Sequence, residues 1–83
     1  MITKDEAYDI ISSLNEDAFE YCYDLWQEAE EDEELKEEAS FMQQETFRDL
    51  FYDEEEDVQE AVWHYVETDE SFADDFNAWH GKD

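Results

Sequence analysis

The chain has no proline, and its only glycine is Gly81, so the residues that ordinarily build hairpin turns and long loops are missing. Helices joined by short polar turns are what such a sequence can make. A single cysteine, Cys22, excludes an internal disulfide and a cysteine-based zinc site, and it suits a reducing compartment. Cations are nearly as scarce: Lys4, Lys36, Arg48 and Lys82 face 29 Asp and Glu, for a formal net charge of −25. No positive surface for nucleic acid, or for an anionic membrane, can be assembled from four cations among so many acids. No run approaches the ~18 apolar residues of a membrane span. The opening residues Met1 to Glu6 carry neither the basic nor the apolar region of a secretory signal. A soluble protein that works in the cytoplasm where it is made is the expectation.

High net charge with little hydrophobic content marks disordered chains, because too little burial is available to offset chain entropy. Here 41% of residues are hydrophobic and 17% are aromatic, more than a solvated acidic tail needs. Those residues imply a folded domain over residues 1–83, an all-α compact bundle of four to five short helices with an acidic surface. Its core must be small and aromatic-rich, and self-repulsion narrows an already thin stability margin.

Helical spacing locates the elements. Thr3 and Glu6 have the spacing of a capping box, which starts a first helix that buries Ala7, Ile10, Ile11 and Leu14. Asn15 can end that helix and cap a second. In the second, Ala18, Phe19, Cys22, Leu25, Trp26 and Ala29 share one face, and Glu16, Asp17, Glu20, Asp24, Gln27 and Glu28 the other. The acid-rich segment from Glu28 to Glu38 reads as an exposed extension or a turn. A third helix is anchored by Leu35, Ala39, Met42, Phe47, Leu50 and Phe51, with Ser40 and Gln43 offering a break. Phe41 and Tyr52 lie off that face, which implies burial on two sides or a broken helix. Acids Asp53 to Asp57 suit the positive end of a fourth helix, whose inner stripe is Val58, Ala61, Val62, Tyr65 and Val66. A last helix, capped by Asp69 or Ser71, carries Phe72, Phe76 and Trp79 and stops at Gly81.

Catalytic chemistry has few candidates. The sequence has no recognisable Ser-His-Asp set, no glycine-rich phosphate loop and no basic cluster for an anionic substrate. Glu60 and His64 stand four apart on the fourth helix, a spacing that can share a metal. A calcium loop of the EF-hand type needs a mid-loop glycine that Asp53 to Glu60 lacks. Neither His64 nor His80 follows a glutamate by three residues, as di-iron bundles require. No enzyme activity, catalytic residue, metal or cofactor is expected. Trp63 points away from the inner stripe of its helix and, with Tyr21 and Tyr52, is a candidate interface anchor.

Solvated helix faces usually alternate signs, gaining ~0.2–0.5 kcal/mol for each i, i+4 pair; this chain sets acid beside acid. Duplex DNA carries a charge every ~3.4 Å along each strand, and an acid at every third helical position gives one per roughly 4.5 Å. Rows of carboxylates on rigid helices therefore approximate rows of phosphates. Candidate rows are Glu16, Glu20, Asp24 and Glu28; Glu31, Asp32, Glu34 and Glu38 within the Glu30 to Glu38 run; Asp53, Glu54, Glu55, Glu56, Asp57 and Glu60; and Asp74 with Asp75. The expected partner is a DNA-binding protein with a basic groove, bound without direct contact to nucleic acid or membrane. A homodimer, which would lengthen the charged surface, stays open.

In size, charge, aromatic content and helical pattern the chain resembles the small acidic DNA-mimic inhibitors of bacteriophages, of the anti-restriction and anti-CRISPR type. The segment Asp24-Leu25-Trp26-Gln27-Glu28-Ala29-Glu30 is similar to an acidic Asp-Leu-Trp helix of the anti-restriction members. The resemblance implies a protein of the host bacterial cytoplasm that occupies the DNA-binding site of a defence enzyme. Restriction-modification complexes, CRISPR effectors and repair enzymes such as uracil-DNA glycosylase are the implied targets. Two alternatives remain from composition: an acidic immunity or chaperone-type protein for one basic partner, and a domain adapted to concentrated salt.

Overall fold

Thr3 opens the first helix: its hydroxyl accepts the Glu6 N–H at 3.2 Å, and α1 (Lys4–Tyr21) follows. The computed structural model describes residues 2–81 and continues with α2 (Tyr23–Glu28), a 3-10 turn (Ala29–Glu31), α3 (Glu33–Tyr52), α4 (Glu56–Thr68) and α5 (Glu70–His80). Lys82, one of the four cations, lies outside the described residues. Among those residues there is no strand, so the all-α architecture holds.

Two boundaries differ from the sequence expectation. Asn15 neither ends α1 nor caps a second helix. Its side-chain oxygen instead accepts from Gln43 Nε2 at 3.1 Å, and Gln43 Oε1 accepts the Trp26 indole N–H at 2.9 Å. The break falls at Cys22, whose N–H is shared between Ala18 O and Phe19 O. Ala18, Cys22 and Ala29 are buried there, and such small side chains let α2 and the 3-10 turn lie close against α3. The acidic run likewise resolves into separate pieces: Glu30 and Glu31 sit in the 3-10 turn. Asp32 caps α3 by accepting the Glu34 N–H at 3.0 Å. Glu33 and Glu34 then fill the first turn, where the helix dipole favours acids.

Helix α3 runs unbroken through Ser40, because Gln43 is committed to Trp26 and Asn15 and leaves no capping box. Phe41, 59% exposed, faces solvent on the side away from buried Ala39, Phe47 and Phe51, so the helix is not buried on two sides. Helix α4 starts three residues later than Asp53, since Asp53 and Glu54 still donate their N–H groups to the last turn of α3. The Gln59 amide holds this turn by donating to Tyr52 O (3.2 Å) and Glu54 O (2.9 Å). Asp69 caps α5 as expected, accepting the Phe72 N–H at 3.0 Å. Gly81 ends it at φ +82, a conformation that disfavours any residue with a Cβ; an added Cβ would also sit 2.6 Å from Gln44 Oε1.

The core joins Ile11 and Leu14 of α1, Phe47 and Phe51 of α3, Val62 of α4, and Phe72 and Phe76 of α5. Among the described residues His80 is the one buried polar side chain, with its ring stacked 5.1 Å from that of Phe76. A carbonyl can only accept, so His80 Nδ1 carries the proton donated to Gly81 O at 3.1 Å. Nε2 then accepts from the Tyr52 hydroxyl, also at 3.1 Å. The body measures 43 × 22 × 20 Å. Among the described residues the sole ion pair is Lys4 with Asp69 at 2.7 Å, so the remaining acids repel one another across a narrow body. Added salt is therefore expected to raise the melting temperature by screening that repulsion. A thermal series from 20 mM to 1 M NaCl checks this, and a flat or falling trend would contradict it.

Candidate functional site

The helices turn apolar stripes inward and acids outward. None of the described acids is buried; only Glu54, Asp69 and Asp75 are partly covered. Asp69 alone of them is paired with a cation. The Lys4 hydrogen bond, joined by the Phe72 backbone N–H, lowers the Asp69 carboxyl below its usual range, and the same bond to Asp69 raises Lys4. Asp75 accepts the Tyr8 hydroxyl at 2.9 Å, a bond that raises the Tyr8 phenol above its ordinary value. Asp74, exposed, points its charge to solvent, whereas Asp75 is tied to α1.

The expected rows are distributed unevenly. Glu16 and Glu20 stand on α1, but Asp24 and Glu28 stand on α2 beyond the break at Cys22, so the four do not form one straight helical row. Glu31 and Asp32 occupy the turn before α3; Glu34 and Glu38 lie on α3 itself. Asp53, Glu54 and Glu55 belong to the turn between α3 and α4, and Glu56, Asp57 and Glu60 to α4.

Packing of α1 against α4 and the turn before it brings together acids that lie 37 (Asp17 and Glu54) to 54 (Glu6 and Glu60) positions apart in the sequence. Glu6 of α1 shares a hollow of about 410 Å³ with Asp57 and Glu60 of α4. Farther along α1, Asp9 and Asp17 share a second hollow, about 300 Å³, with Glu54. Positions 6, 9, 13 and 17 follow one face of α1, with Ser13 as the only uncharged member. The facing series 60, 57, 54 runs in the opposite sense, so carboxylates of α1 stand across these two hollows, together called the groove, from carboxylates of α4 and of the turn before it. Glu6 to Asp17 spans roughly 16 Å of helix. Glu6, Asp9 and Asp17 lie outside the candidate rows that the sequence suggests. Their signal was the 3, 4, 4 spacing, hidden by the expected helix end at Asn15, which placed Asp17 on a different helix.

Trp63 is 38% exposed, and its ring packs edge-on against Phe76 (5.2 Å), Phe51 (5.9 Å) and His80 (5.9 Å). It covers the aromatic core with one edge left in water. Tyr52 is likewise engaged through its bond to His80, whereas Tyr21 is 76% exposed. Among the described residues no three of His, Cys, Asp and Glu converge as metal ligands do. No helix of the described residues is long and apolar enough to cross a membrane. Compared with known protein families, curated proteins and solved structures, the chain matches none.

Proposed function

We propose that this protein is a DNA mimic that inhibits a host defence enzyme, of the restriction-modification, CRISPR or DNA-repair kind, by occupying its DNA-binding site in the bacterial cytoplasm. The observation that carries this proposal is linear charge density. A duplex as long as this body, 43 Å, carries about 25 phosphate charges at one per ~1.7 Å of axis, and the chain carries a net −25. A cationic groove shaped for DNA would therefore meet the same charge over the same length. The two carboxylate rows along α1 and α4 supply fixed positions for it, as the phosphates of two strands do. Because the rows sit on helices pinned by an aromatic core, little ordering cost is added on binding.

Competition tests the proposal. Labelled duplex DNA bound to each of several unrelated DNA-binding enzymes is titrated with the protein, and displacement from more than one of them is expected. Replacing the groove row (Glu54→Gln, Asp57→Asn, Glu60→Gln) should weaken displacement about tenfold or more through lost counterion release. Removing the same charge on α3 (Glu37→Gln, Glu38→Gln, Glu45→Gln) should cost less. Equal losses would move the contact surface away from the groove. Displacement from none of the enzymes, with tight binding to one basic protein that duplex DNA does not reverse, would replace mimicry by the dedicated acidic partner.

A further inference from the structure

Carboxylates suffice for DNA mimicry, yet the molecule also displays rings that its core does not need. Phe19 is 42% exposed and Tyr23 49% exposed, and both touch the same cluster. Phe19 meets Tyr23 edge-on at 6.1 Å and stacks near Trp26 at 6.4 Å. The seam of this segment against α3 is already made by buried Ala18, Cys22 and Ala29 with half-buried Trp26, so the exposed faces of Phe19 and Tyr23 are surplus to packing. They are also held in place. The Trp26 indole is bonded to Gln43 of α3, and Gln43 to Asn15 of α1, which ties the platform to three helices before any partner arrives.

The border of the platform limits what can cover it. Glu16 lies one turn before Phe19, Glu20 follows it, and Asp24 follows Tyr23; all three are exposed. A second copy would bring another −25 against them. A neutral apolar partner would strip water from the acids and return no charge. A planar guanidinium satisfies both features, since it stacks on a ring face and forks to a neighbouring carboxylate. An ammonium is drawn to both features as a point charge, but it is compact and strongly hydrated, so it neither stacks flat on a ring nor forks to a carboxylate, and it binds there more weakly.

We propose that Phe19, Tyr23 and Trp26 form a docking surface for arginine side chains of a cationic protein partner. This rests on the proposal above that the partner is cationic, and it adds that the partner is recognised through arginine in preference to lysine. A phosphate row alone would accept either.

Hexa-arginine and hexa-lysine peptides, equal in charge, provide the test, titrated calorimetrically into the full chain at one salt concentration. The arginine peptide should bind about threefold more tightly, and only it should shift the Trp26 indole N–H resonance. Phe19→Ala and Tyr23→Ala, made separately at half-exposed positions and checked for helix content, should each reduce that preference. The groove-row variant should instead weaken both peptides alike. Equal binding of the two peptides to the unmodified protein, or a preference that survives both ring substitutions, would overturn the aromatic docking surface and leave the cationic partner standing. Binding of neither peptide would overturn the cationic partner and, with it, this surface.

Discussion

Raising salt from 50 to 200 mM is expected to weaken the protein's hold on its target by about 10³- to 10⁵-fold, the loss seen when a protein neutralises ~6–10 phosphates. The physical source is the crowd of counterions around two facing, unpaired rows of acid. Binding a cationic groove releases them, and the entropy of release shrinks as bulk salt rises. The same salt should stabilise the free protein, because screening relieves repulsion inside a body whose described residues hold one ion pair. Opposite signs for stability and binding separate the two effects: a target affinity that falls while the melting temperature rises cannot come from unfolding. Affinity measured at four or more salt concentrations gives the log-log slope. A slope near zero would mean that apolar contacts, not the carboxylates, carry the affinity, and charge mimicry would then fail.

Much of the helical plan was legible because its signals are local. The Thr3 hydroxyl cap, the Asp69 cap and the Gly81 stop each depend on residues within one turn, and each appears where the spacing places it. The inner stripe of α4 depends only on period, and Val58, Ala61 and Val62 are buried. Asn15 departs from its local signal for the opposite reason. Its local chemistry suits a helix end, but its partner is Gln43, 28 positions away, and a tertiary hydrogen bond outweighs local preference. Similarly, Ser40 and Gln43 have cap spacing, yet Gln43 is held by Trp26 and Asn15.

The candidate surface was less legible than the fold. Acids are so numerous that any helix face includes some, and composition alone cannot say which faces meet. The pairing of Glu6 with Asp57 and Glu60 follows from α1 lying on α4, a contact set by Ile11, Leu14, Val58 and Val62 in the core. Trp63 shows the limit of reading a side chain by angle alone. It does lie off the inner stripe, but α5 wraps around far enough for Phe76 and His80 to receive its ring.

Phe51→Ala is expected to leave the protein largely unfolded at low salt. Phe51 is fully buried, and its ring contacts those of Phe76 (5.3 Å), Trp63 (5.9 Å) and Phe47 (6.4 Å). Truncating a buried Phe costs about 3–5 kcal/mol in lost transfer energy and cavity. At ~0.05–0.15 kcal/mol per residue, an ordinary domain of this length holds about 4–12 kcal/mol, and self-repulsion places this one toward the lower end. The substitution therefore removes most of the margin. Salt near 1 M should restore part of the helical signal in circular dichroism, because it recovers the electrostatic share but not the cavity. Phe41→Ala, at a 59% exposed position, should shift stability within about 0.5 kcal/mol. If Phe51→Ala instead melts within a few degrees of the unmodified protein at low salt, the ring cluster around Phe51 is not what holds α3, α4 and α5 together. The rigidity of the charged rows would then need another source.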